Sequence, residues 1–171
     1  MKDKRIEKAY ELGFSYEKQF KGCAQCTIAA IQDTLDIKND EIFRAASSLA
    51  MGGGLTCAGA CGGVSGGAMM ISHLYGRRKE FFEGDDEMKI TSHRLTRELH
   101  QRFIDTYGTV ICGEIHQKIF GRNYDIRIPE EKLQFNEDGA HRDKCTSVVA
   151  KAAAWTVELI LEEQQRRSVN T

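Results

Sequence analysis

The chain has 171 residues, 41% of them apolar, with 24 Lys and Arg against 25 Asp and Glu and a net charge of −1. That length suits one domain with a core of its own. The even balance gives no basic excess for nucleic acid and no charge block that reads as a binding tail. No apolar run reaches the roughly 18 residues that span a bilayer. The opening MKDKRIEKAY is charged, with no apolar leader core, so the expectation is a soluble, cytoplasmic protein without a membrane or nucleic-acid partner.

Apolar spacing is helical along the whole chain, and a single proline, Pro129, leaves long stretches free to be helical. Residues 2–12 predict a charged helix stopped at Gly13, with a second helical piece over 15–20. Gly22 opens a helix from Cys23 to about Leu35 with Ala24, Ile28, Ile31 and Leu35 on its apolar side. Asn39 or Asp40 caps the next, which turns Ile42, Phe43, Ala46, Leu49 and Ala50 inward and ends at Gly52-Gly53-Gly54. Half of the 16 glycines then fall between positions 52 and 67, beside Cys57 and Cys61. Such a density makes room for a close neighbour: a helix, a phosphate or a metal–sulfur centre. Gly59, Gly63 and Gly67 are spaced by four and predict one smooth helical face.

Residues 65–75 predict a buried helix closed by Gly76, and 77–87 a polar loop. A helix over about 88–107 carries the stripe Leu95, Leu99, Phe103 and Tyr107 and stops at Gly108. A short helix over 113–120 ends at Gly121, and 122–142 reads as the longest irregular stretch. Asp143 is the expected cap of a last helix, 144–163, with Val148, Ala152, Trp155, Leu159 and Ile160 inward and a frayed tail from about 164. No strand or repeat is predicted. The expected fold is all-α: one compact bundle of about six to seven helices, a single domain over 1–171, with a glycine-rich central helix or turn.

The chemistry lies in the cysteines. Cys23 and Cys26 form C-x2-C at a helix start, Cys57 and Cys61 form C-x3-C in the glycine stretch, Cys112 precedes a short helix, and Cys145 lies in the first turn of the last. In a reducing compartment six such cysteines point to metal or thiol chemistry rather than to structural disulfides. Helix N-termini stabilise thiolates, the form that ligates metals and attacks disulfides. The bland alternative is that each cysteine is a small buried hydrophobe. Zinc ligation would draw on His116 and His141, four residues from Cys112 and Cys145, although each histidine reads first as a surface residue. Four thiolates from separate segments suit an iron–sulfur cluster better, since that ligation needs no rigid spacing. A metal-free dithiol centred on Cys23 or Cys26 is the competing redox reading, without the βαβ context of a thioredoxin-like fold. The glycine turn is followed by no Gly-Lys-Ser/Thr, so it is not a phosphate-binding P-loop.

Taken together, Gly22-Cys23-Ala24-Gln25, Gly52-Gly53-Gly54, Cys61-Gly62-Gly63-Val64-Ser65-Gly66-Gly67, Cys112 and Cys145 resemble the C_GCAxxG_C_C family of redox-active proteins, over roughly residues 10–165. The resemblance implies a small helical protein of anaerobic bacteria or archaea. A related domain of split-Soret cytochromes, where an iron–sulfur cluster accompanies haem, implies a cluster here. By position the family's cysteines fall on Cys23, Cys61, Cys112 and Cys145. Cys26 and Cys57 are additional: further ligands, a thiol pair, or core residues. Gly53, Gly54, Gly62 and Gly63 are the expected backbone contacts of the cofactor. The expected function is electron transfer, or support of a redox enzyme, through an iron–sulfur cluster. A thiol oxidoreductase and a structural zinc module are the alternatives. The redox partner protein is left open, and the glycine face is compatible with a homodimer.

Overall fold

The computed structural model describes residues 3–83 and 87–169. Eight α-helices account for most of the described chain: α1 (Lys4–Gln19), α2 (Cys23–Leu35), α3 (Asp40–Ala45), α4 (Gly62–Tyr75), α5 (Glu87–Tyr107), α6 (Cys112–Phe120), α7 (Pro129–Glu137) and α8 (Cys145–Val169). Short 3-10 turns occupy Ser47–Leu49 and Lys79–Phe81, and a π-helical turn, Ala140–Lys144, leads into α8. The described residues hold no strand, only an isolated antiparallel bridge between Ala60 and Ile111. The all-α bundle is as expected, with eight helices rather than six to seven.

Helix α8 is the axis of the bundle and packs against α1, α2, α4 and α5. Its Thr146, Val149, Ala150, Ala152, Ala153, Thr156, Val157 and Ile160 are buried, and a helix apolar on so many sides is stable only inside a bundle. Small alanines on α8 let α1 approach closely. That contact accounts for one departure from the sequence reading: α1 does not stop at Gly13. A Cβ at Gly13 would lie 3.0 Å from Ala150 Cα, so this glycine is a point of helix–helix contact, and the two predicted pieces are one helix ended at Phe20.

The glycines of α4 work on two sides. Gly66 faces α2, where an added Cβ would lie 2.5 Å from Ala24 O, and Gly63 faces α8, where it would lie 2.8 Å from Ala152 Cβ. Gly59 lies outside the helix, in the preceding loop, so the predicted 59-63-67 face is not formed. The glycine faces are covered by α2, α5 and α8 of the same chain. Helix α5 contributes its expected stripe: Leu95, Leu99, Phe103 and Tyr107 are all buried, and Phe103 meets Trp155 edge to face at 5.4 Å.

Other boundaries moved for identifiable reasons. Asn39 caps α3 by accepting from Ile42 N at 3.0 Å, but the helix ends at Ala45, and of its expected inward residues only Ala46 is fully buried. The stretch 122–142, expected to be irregular, contains α7, with Pro129 at its first turn and Glu130 and Glu131 behind it; both features favour a helix start. Asp143 does not cap α8, because the π-turn after Gly139 (φ 95°) already carries the helix into Cys145. Helix α8 runs past the predicted end at 163 to Val169, and there Arg166 and Arg167 bond the buried Glu163 at 2.6 and 2.8 Å and Arg94 joins at 2.6 Å. Burial works against the charge of Glu163, yet these arginines hold its carboxyl below the usual range. Residues 2, 84–86, 170 and 171 of the predicted helix, loop and tail lie outside the described residues. No helix among the described residues is long and apolar enough to cross a membrane.

The α2–α4 contact tolerates no side chain at position 66. Gly66→Ala, which would force a methyl onto the Ala24 carbonyl, is expected to cost about 1–3 kcal/mol in urea unfolding. An unchanged midpoint would show that the helices separate freely there.

Candidate metal and thiol centre

One cavity of about 230 Å³ opens between α1, α2, α6, α7 and the start of α8. Cys23, Cys61, Cys112 and Cys145 all line it, although 122 positions separate the first from the last (145 − 23). Each sits at a helix end. Cys23 and Cys112 are the first residues of α2 and α6, Cys61 is the N-cap of α4, and Cys145 begins α8 where the π-turn passes into α-helix. Apolar walls complete the space: Met51, Ile115, Ile126, Phe135, Val148 and Val149.

Local folding dictates these placements. Backbone N–H groups of Gly63 and Val64 point at the Cys61 thiol, and those of Met51 and Ala24 at Cys23. They favour the thiolate, but burial dominates: it pushes Cys61 up to about 11 and raises Cys23 and Cys145 well above the ordinary thiol range. Gly62 is a close point between α2 and α4. A Cβ there would strike Cys23 Sγ and lie 2.7 Å from Ala24 N, so only glycine lets α4 start beside that thiol. None of the four expected glycines lines the cavity: Gly62 and Gly63 are buried at the start of α4, and Gly53 and Gly54 lie in the turn after α3, open on their Cβ side.

The loop between α3 and α4 is conformationally unusual. Met51, Leu55 and Cys57 have φ of 48°, 63° and 59°, in the left-handed region, together with Gly52, Gly53 and Gly54. Non-glycine residues there cost energy that the surroundings must offset. Here main-chain bonds do so: Cys57 N donates to Met51 O at 2.7 Å, Gly59 N to Gly52 O at 3.0 Å, and Gly113 N to Cys57 O at 2.9 Å. The result carries Cys57 to the start of α6. The donor atoms of Cys57, Cys112 and His116 lie within 4.8 Å of one another.

His116 organises this corner. Its Nδ1 lies 3.9 Å from Cys57 Sγ, and its Nε2 lies 3.7 Å from Cys112 Sγ and 3.8 Å from Cys145 Sγ. The ring packs against Phe120 and Phe135 at 5.2 and 5.4 Å, in a small second core with Tyr124 and Ala140. His116 is therefore buried, not a surface residue as its sequence suggested. Its one sequence signal is the i,i+4 spacing from Cys112 on a helix. Hydrogen bonding with Cys112, and then with His116, lowers the Cys57 thiol against the opposing effect of burial; Cys112, its partner, is raised.

Cys26 takes a different direction. It is buried, donates to Lys21 O at 3.1 Å, and does not line the cavity. Glu17 and His141 also line the cavity, with Glu17 Oε1 3.7 Å from His141 Nδ1. Burial raises the Glu17 carboxyl to about 7 and lowers the His141 imidazole to about 4, so near neutral pH this is not a full ion pair. Glu17 Oε2 and His141 Nδ1 have no hydrogen-bond partner. Glu17 extends the buried row Ala9, Gly13, Glu17 of α1, a spacing of four that hides a carboxylate among apolar contacts; His141 rides on the π-turn, which sequence periodicity did not show.

The model of the family described as "Putative redox-active protein (C_GCAxxG_C_C)" matches residues 22–159, and the chain belongs to that family. No curated protein and no solved structure matches it.

Glu17 makes stability depend on pH. Below its unfolded pKa of 4.5 the carboxyl is protonated in both states and costs nothing; between there and about 7 only the unfolded chain ionises, so stability falls, and above 7 the loss is complete. The stability of Glu17→Gln relative to the parent chain is expected to rise by on the order of 3 kcal/mol between about pH 4.5 and about pH 8. Urea unfolding at both ends tests this, and a difference independent of pH would place the Glu17 pKa near its ordinary value.

Proposed function

We propose that this family member is a redox protein in which Cys23, Cys61, Cys112 and Cys145 hold an iron–sulfur cluster. It would exchange electrons with a partner protein or support a redox enzyme. The observation that carries this reading is the meeting of these four cysteines, from four separate segments, in the wall of one cavity. The donor set suits the group: cluster ligation takes four thiolates and sets no fixed spacing between segments. When bound, such a cluster supplies one-electron transfer.

The chain's own contribution is to orient and enclose. Ile115, Ile126, Phe135, Val148 and Val149 would give the group an apolar surround. N–H groups at the start of α2 and α4 face Cys23 and Cys61, the kind of contact that tunes a cluster's potential. His141, lowered to about 4, would add no charge at neutral pH, and Glu17, raised to about 7, would add only part of one.

A second reading rests on the triad. Cys57, Cys112 and His116, with Cys145 Sγ 3.8 Å from His116 Nε2, form a Cys/His donor set of the sort that holds a single zinc ion. Cys61 belongs to the first set and not to the second, so it separates the two. In anaerobically purified protein, matched iron and sulfide with visible charge-transfer absorption are expected. Cys61→Ser is expected to lose most of that iron while keeping its helical circular dichroism. Full iron retention in Cys61→Ser would overturn the four-cysteine set, and colourless protein with one zinc per chain would favour the triad.

A further inference from the structure

Cys57 stands apart from the four cavity cysteines. It does not line the cavity and is partly exposed, whereas its neighbour Cys112 is buried and does line it. The two are held side by side by backbone. Gly113 N donates to Cys57 O at 2.9 Å, Cys112 N donates to Gly59 O at 3.0 Å, and Ala60 and Ile111 bridge beside them. Their sulfurs lie within 4.8 Å of each other. Closing to the roughly 2.05 Å of a disulfide asks for side-chain movement within two segments already pinned to each other by backbone bonds. A partly exposed cysteine backed by a buried one is the arrangement of an attacking and a resolving cysteine. Cys23 and Cys26 do not offer it: Cys26 Sγ is engaged with Lys21 O, and Cys23 belongs to the cavity lining while Cys26 does not.

We infer that Cys57 and Cys112 form a thiol–disulfide exchange pair for low-molecular-weight disulfides, and that their oxidation withdraws Cys112 from the cavity's ligand set. In the first step the Cys57 sulfur attacks one sulfur of the small disulfide. A Cys57 mixed disulfide forms, the small S–S bond breaks, and the departing thiolate takes up the proton that Cys57 gives up. In the second step Cys112 attacks the Cys57 sulfur. The Cys57–Cys112 bond forms, the second small thiolate leaves, and it takes up the Cys112 proton. Two protein thiols are oxidised and one small disulfide is reduced to two thiols. The exchange stands independently of the cluster reading; only its consequence for metal binding rests on it, because one thiol cannot serve both a disulfide and a metal.

The test uses the full-length protein, stripped with a chelator, fully reduced and desalted anaerobically. It is treated with oxidised glutathione, its remaining thiols are alkylated, and its peptides are mapped by mass spectrometry. The expected product is a Cys57–Cys112 linkage, with about two glutathione molecules released per chain and the other cysteines alkylated. Cys112→Ala is expected to trap glutathione on Cys57, and Cys57→Ser to leave Cys112 unmodified. A different linkage, glutathione left on Cys57 of the unsubstituted chain, or no reaction would overturn the pair. In parallel, the oxidised and reduced forms are reconstituted with iron and sulfide; the oxidised form is expected to take up at least about ten-fold less iron. Equal uptake would overturn the coupling to the cavity. No uptake by the reduced form would instead defeat the cluster reading and leave the mapped linkage standing.

Discussion

The structure depends on bringing helix starts together around one small space. Helices α2, α4 and α6 begin at the cavity, at Cys23, at Cys61 as N-cap, and at Cys112. Each start carries unpaired N–H groups and a partial positive charge. Three such ends converging on an apolar cavity repel one another unless something anionic, or hydrogen-bond acceptors, stands between them. The cysteine sulfurs are the acceptors supplied: Cys61 takes the N–H groups of Gly63 and Val64, and Cys23 those of Ala24 and Met51. The arrangement is thus complementary to negative charge gathered on sulfur, and this links the fold to the redox character of the family.

Close approach is the price of that convergence, and the glycines of α4 meet it. Glycine within a helix costs about 1 kcal/mol relative to alanine, and Gly62, Gly63, Gly66 and Gly67 stand in succession along its first turns. The loss is offset by what those positions touch: Cys23 and Ala24 of α2, Ala152 and Thr156 of α8, and Phe103 and Leu99 of α5. Helix α4, which starts at the cavity, is therefore also held in the core by α2, α5 and α8. A shift of α4 would disturb Cys61 and the wall around Cys23 together.

Much of this was legible in the sequence because it was written in spacing. The stripe of α5, the cap at Asn39, the start of α2 at Cys23 and the all-helical class follow from periodicity and end signals. What was not legible depended on partners far along the chain. Gly13 carries a stop signal that the backbone of Ala150 overrides. The π-turn before Cys145 carries His141 into the cavity wall beside Glu17. Helix α7 was hidden by a weak apolar pattern, although Pro129 followed by Glu130 and Glu131 is itself a start signal. The gathering of four cysteines was suggested by family resemblance; the place of His116 and the pairing of Cys57 with Cys112 required coordinates.

The electrostatics divide the thiols into two kinds. Burial holds Cys23, Cys61 and Cys145 well above the ordinary thiol range, so at neutral pH they are protonated and poor nucleophiles. A bound cation is the ordinary means of drawing the proton from such a group, because metal binding and thiol ionisation are linked. Glu17 and His141 do not replace that cation. His141 is held neutral, and Glu17 is shifted toward its protonated form. These three cysteines are therefore better suited to ligation than to attack. Cys57 is the reverse: lowered by hydrogen bonds from Cys112 and His116, and outside the cavity lining. Cys112 touches both sets, lining the cavity on one side and meeting Cys57 on the other. On the exchange inferred above, the oxidation state of Cys112 decides whether the cavity has four thiol donors or three.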